Sequence, residues 1–140
     1  MKKKSFLIVS LALGLVLAAF LSGCSGGGGK ADVKAQIEAL KSDDDMTRQN
    51  AAGDLGEIGK KAAPAVPALI EALKDKDPIV QRLAAHALGQ IGAPEATPAI
   101  PALKELMKSM DRNASSGAYN ALWAIDPKSA DPNYRPINVK

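Results

Sequence analysis

The chain is poor in the side chains that build metal and redox sites. Among 140 residues there is one histidine, His86, and one cysteine, Cys24. A lone histidine cannot supply a two-histidine metal site or a pair of His–Glu dyads, and patterns such as His-Glu-x-x-His are absent. A lone cysteine cannot close a disulfide within the chain. No segment alternates polar and apolar residues for the length of a strand, so no strand is predicted. The run Phe6 to Phe20 is nearly all apolar over about fifteen residues, which falls short of the roughly twenty that a bilayer-spanning helix needs.

What is present begins with an export signal. Lys2, Lys3 and Lys4 make a basic start, the apolar run follows, and Leu21-Ser22-Gly23-Cys24 comes directly after it. This segment resembles the lipobox of bacterial lipoproteins at all four positions. The resemblance implies a diacylglycerol on Cys24, cleavage before it, and a further fatty acyl chain, such as palmitate, on its amine. Residues 1–23 are then a signal peptide, and 24–31 a lipidated cysteine with a tether. Ser25 to Gly29 has too much backbone freedom to order unaided, and with Lys30 and Ala31 it makes a tether of about seven residues with a reach of roughly 15 Å. Loss of three lysines with the signal leaves fifteen basic and fifteen acidic residues. A formally neutral chain has no electrostatic case for a nucleic-acid partner. By analogy with enteric sorting, Ser25 after the cysteine permits the outer membrane of a Gram-negative host, on its periplasmic side or at the surface.

From residue 32 the chain repeats. Ile37-Glu38-Ala39-Leu40-Lys41 returns as Ile70-Glu71-Ala72-Leu73-Lys74, and Leu55-Gly56-Glu57-Ile58-Gly59 as Leu88-Gly89-Gln90-Ile91-Gly92, each 33 residues on. A weaker third copy aligns Pro64 to Leu69 with Pro98 to Leu103, Leu88 with Leu122 and Ile91 with Ile125. A fixed period of this size marks a solenoid. Each copy reads as two helices. The pairs are Asp32 to Lys41 and Asp44 to Ile58, then a helix carrying Val66, Leu69, Ile70 and Leu73 followed by one from Pro78 to Ile91, then Pro101 to Ser109 and Asp111 to Ile125. Asp44, Asp77 and Asp111 fall where N-caps are needed, and Gly92 where a helix must stop.

The stretch Asp77 to Gly92 resembles a HEAT repeat, in particular the short HEAT-like repeats named after phycobilisome lyases. That pattern carries an acidic residue and a proline, a valine, arginines, and an alanine run closing on Leu-Gly-x-Ile-Gly. Copy two departs from it at Gln81, where copy one keeps Arg48. Copy three has Trp123 and Asp126 in place of the glycines. The resemblance implies an all-α fold: a short right-handed α-solenoid of about three HEAT-like hairpins, about six helices, forming one monomeric domain over 32–126. Residues 127–140 contain three prolines and are expected to be an irregular tail.

The expected function is protein or peptide binding at an envelope membrane, with no catalytic residue, metal or cofactor. Gln49, Gly53, Arg82, His86, Ser116 and Asn120 share outward positions on the second helices, which in this fold line the concave side. Asp43-Asp44-Asp45 is explained by capping better than by a metal, since loop sites alternate their ligands. Tyr119 and Trp123 replace the small Ala85 and Gly89. They are expected either to close the last repeat, against its first helix or against Tyr134 in the tail, or to anchor a partner. A structural envelope role without a partner is the alternative. A lyase-like accessory role is disfavoured by export, by the lone His86 and by the lack of a second cysteine. The lipobox match makes one prediction: Cys24→Ala should abolish acylation and leave an unprocessed precursor or a protein shed from membranes, read by metabolic labelling with a fatty acid and by fractionation. Normal acylation and retention in the variant would refute it.

Overall fold

The computed structural model describes residues 32–130, so the signal segment, the lipidation site Cys24, the tether and residues 131–140 lie outside the described part. Among the described residues there is no strand, and no helix is long and apolar enough to cross a membrane. Six α-helices form three hairpins: α1 (Val33–Ala39) with α2 (Asp45–Ile58), α3 (Val66–Ala72) with α4 (Pro78–Ile91), and α5 (Ile100–Leu106) with α6 (Arg112–Ile125). Every first helix has seven residues and every second helix fourteen.

The sequence accounts for the ends of these helices. Asp44, Asp77 and Asp111 are N-caps in extended conformation, and their carboxylates accept from the amides of Thr47 (2.8 Å), Ile79 (2.9 Å) and Ala114 (2.8 Å). Each such cap satisfies an amide that the first turn leaves unpaired. The first helices end sooner than their periodicity suggests, because their last turns tighten into i→i+3 bonds such as Lys41 N–H to Glu38 (3.0 Å) and Lys74 N–H to Glu71 (2.9 Å). Gly59 and Gly92 end α2 and α4 at φ of +61° and +72°, a region costly for residues with a Cβ. The chain then enters 3-10 segments, Gly59–Ala65 and Thr97–Ala99, which periodicity had not revealed. In the third repeat Asp126 stands in the glycine position at φ −150°. Its carboxylate instead accepts from the Lys128 amide (3.1 Å) and the Ser129 hydroxyl (2.7 Å). A closing turn therefore follows α6, and Ala130 at its end is buried.

The second helices stack in one layer, α4 lying between α2 and α6. Their buried stripes recur in register: Val80, Ala84, Leu88 and Ile91 in α4, and Ala114, Ala118, Leu122 and Ile125 in α6. More than half of the buried apolar residues are alanines, so the backbones come close. A methyl added at Gly89 would sit 3.2 Å from Ala121 Cα, and one at Gly56 would sit 3.5 Å from Ala87 Cα. The Ala121 contact is with backbone, which cannot swing aside, whereas the tightest contact at Gly56 is with the His86 side chain, whose Nδ1 would lie 3.2 Å away. Gly53, one turn before Gly56 in α2, has nothing within 4 Å of where its Cβ would be. The two kinds of glycine should respond oppositely in thermal melts. Gly89→Leu should destabilise by roughly 1–3 kcal/mol through overpacking. Gly53→Ala should stabilise by about 0.5–1 kcal/mol, because it removes backbone freedom from the unfolded chain at no steric cost.

Candidate functional site

Two seams join the second helices, and their chemistry differs. Between the first and second repeats the seam is closed by a polar clamp around Arg48, which is only 5% exposed. Its Nε and Nη2 donate to the Asp75 carboxylate at 2.8 and 3.0 Å, and its Nη1 donates to the carbonyls of Ser42 (2.7 Å) and Asp43 (3.1 Å). Nη2 also reaches Asp45. Gln49 adds a second bridge, its amide donating to Asp77 Oδ2 at 2.6 Å. Burial pushes the Asp75 carboxyl up, but the Arg48 guanidinium and the Asp77 amide together hold it below the usual carboxylate range. Hydrogen bonding to Asp75 comes first among the effects that stabilise the charged form of Arg48. Gln81, one repeat after Arg48, keeps the local half of the arrangement by donating to the Asp75 carbonyl at 2.7 Å.

Between the second and third repeats the seam opens into a groove of about 410 Å³, within the range of pockets that take small ligands. Arg82 and His86 of α4 face Ser116 and Asn120 of α6 across it. Four of the residues expected to bind a partner thus share one concavity. Gln90 and Asn113 also line it, and the sequence reading did not include them. Both lie one helical turn from a named residue, which was the available signal. His86 Nε2 lies 3.2 Å from the Gln90 amide nitrogen, and no carboxylate or metal partner of the imidazole is found among the described residues. Gly117 shapes the floor. A Cβ there would meet Arg82 Cγ at 3.2 Å and Arg82 Cα at 3.5 Å, so the missing side chain is what lets the Arg82 stem lie along α6.

The other expectations need correction or reassignment. Gln49 is engaged with Asp77 across the first seam and does not line the groove. Tyr119 is half-buried against the core, whereas Trp123 is 55% exposed. Partial burial of the pair against the first helix of the third repeat or the tail is the expectation; Trp123 keeps more than half of its surface exposed, so it is not a fully buried end-cap. The register supplies the reason. Trp123 occupies the position of Gly89, which in α4 faces the next repeat, and among the described residues no repeat follows α6. The contact proposed with Tyr134 lies outside the described residues. Asp44 is occupied as a cap and Asp45 by Arg48 and Lys76, and no acidic, histidine or cysteine cluster suited to a metal occurs among the described residues.

The clamp makes a pH-dependent prediction. Because the Asp75 carboxyl is depressed in the folded state, its contribution to stability is complete above the ordinary carboxylate value of about 4 and is lost as pH falls through the lower folded value. Asp75→Ala should cost roughly 1–3 kcal/mol at neutral pH, because Arg48 loses two hydrogen bonds while keeping Asp45 and the carbonyls of Ser42 and Asp43. Thermal melts from neutral pH down to about 2 should show a shallower acid dependence in the variant than in the parent.

Comparison with known proteins agrees with this architecture. No curated protein matches the chain. Among solved structures it is similar to two engineered proteins studied by the Northeast Structural Genomics Consortium. One has 29% identity and a TM-score of 0.61 over 70% of this chain and 49% of that one. The other has 30% identity and a TM-score of 0.60 over 70% and 48%. The chain thus spans about half the length of each. A family model for HEAT repeats matches residues 33–123, which takes in all three hairpins. With the period, the stacked second helices and this match in agreement, the chain belongs to the HEAT-repeat family.

Proposed function

We propose that this protein is a lipid-anchored interaction module of the bacterial envelope, and that it holds a partner protein in the groove between α4 and α6. The observation that carries the reading is the convergence of Arg82, His86, Ser116 and Asn120 on one concavity while the equivalent seam one repeat earlier is closed by Arg48, Gln49 and their aspartates. HEAT repeats are suited to such a role because a rigid array presents its second helices as a continuous surface. The lipobox match at Cys24 supports anchoring at a membrane, and the glycine tether would keep the groove near the headgroups.

The reading is tested by site-specific photo-crosslinking in living cells. A benzophenone side chain at Asn120 should give discrete adducts with one or a few proteins, and the same group at Glu105, on a first helix, should not. Adducts at Asn120 should weaken when Cys24→Ala detaches the protein from the membrane. Equal patterns at both positions, or none at either, would oppose the groove as the binding surface, and the absence of adducts would favour a purely structural envelope role.

A further inference from the structure

The groove's charge is uneven in a way that points to the chemistry of its occupant. Arg82 is exposed and, among the described residues, makes no ion pair and no side-chain hydrogen bond. Its register equivalent Gln49 is bonded to Asp77, and the equivalent of Asp77 is Asp111. The Asp111 carboxylate, however, caps α6 through the Ala114 amide at 2.8 Å and forms no ion pair with Arg82. The seat for the Arg82 stem is a glycine in the middle of a helix, Gly117, a residue that weakens a helix interior unless close approach requires it. Around this cation the lining residues Asn113, Ser116 and Asn120 are neutral, and their side chains have no hydrogen-bond partner among the described residues.

We infer that the groove takes an extended peptide segment of a partner protein, with an Asp or Glu side chain of that segment on Arg82 and its main chain on Asn113 and Asn120. The inference rests on the groove reading above and deepens it. A guanidinium offers a planar fork that matches a carboxylate with two parallel hydrogen bonds. A carboxamide carries both a donor and an acceptor, as a peptide group does, so Asn113 and Asn120 can pair with main-chain amides whatever the sequence. One formal cation suits a single carboxylate, whereas a polyanion such as nucleic acid is held by several cations at once.

The test uses the full-length chain purified in detergent and followed by NMR. The probe is a nine-residue peptide, acetylated and amidated, of glycine, serine and alanine around a central glutamate. A second peptide carries glutamine at the centre, and a third carries no acidic side chain but a free C-terminus. The glutamate peptide should shift the side-chain signals of Arg82, Asn113 and Asn120 saturably, and the glutamine peptide should bind about tenfold more weakly, the factor expected for one charge-assisted hydrogen bond. Arg82→Gln should remove that difference and Arg82→Lys restore part of it, while both variants melt like the parent. Equal binding of the glutamate and glutamine peptides would overturn the acidic specificity and leave the groove reading standing. Binding of the free C-terminus peptide alone would overturn the side-chain assignment in favour of a terminal carboxylate. If no peptide shifts the groove signals, the peptide inference falls, and the groove reading is decided separately by the adducts at Asn120.

Discussion

The architecture depends on how closely the second helices approach one another. α2, α4 and α6 meet through alanine and glycine, with Gly56 against the backbone of Ala87 and Gly89 against that of Ala121. Dispersion and apolar burial are gained at short range, where a core of larger side chains would hold the helices apart. Each glycine costs helix stability, so its recurrence at the same register of two repeats is explained by the packing it permits. The short first helices are secondary in this scheme. They cover one side of the layer, and their last turns tighten to deliver the chain to the aspartate caps.

Close approach also concentrates polar groups along the seams, and the two seams resolve them differently. At the first, Arg48 and Gln49 reach across to Asp75 and Asp77, and the buried guanidinium finds partners for its donors in carboxylates and turn carbonyls. No buried side-chain polar atom lacks a partner among the described residues, as low-polarity surroundings require. At the second seam Gln81 keeps only the local bond, Ser115 turns back to the Arg112 carbonyl at 3.2 Å, and Arg82 stays in solvent. A closed seam ties repeats together, whereas an open seam leaves hydrogen-bonding capacity for a ligand. The placement of a groove at the second seam follows from this difference in composition.

The third repeat ends the described array through its chemistry at three positions. Asp126 replaces the left-handed glycine and turns the chain into a capped turn. Tyr119 half-fills the core edge. Trp123 occupies the register of Gly89 and would hold another helix away from the distance at which α4 and α6 meet. The aromatic pair therefore divides between packing and exposure.

Period, helix number, caps and core stripes were legible in the sequence because each is set locally: an aspartate two or three residues before a helical amide, a glycine where φ must be positive, and apolar residues at helical spacing. The outward positions on the second helices were legible for the same reason, and Arg82, His86, Ser116 and Asn120 do share a groove. What the sequence could not decide was which polar residues pair across repeats. Arg48 and Arg82 both lie in second helices one repeat apart, yet one is buried in a clamp and the other is exposed. That outcome depends on what stands opposite each: Asp75 within 3 Å of the first, and glycine against the stem of the second. Hydrogen bonding and burial act over a few ångströms between residues some thirty positions apart, so only the tertiary packing decides which polar group becomes structure and which stays exposed.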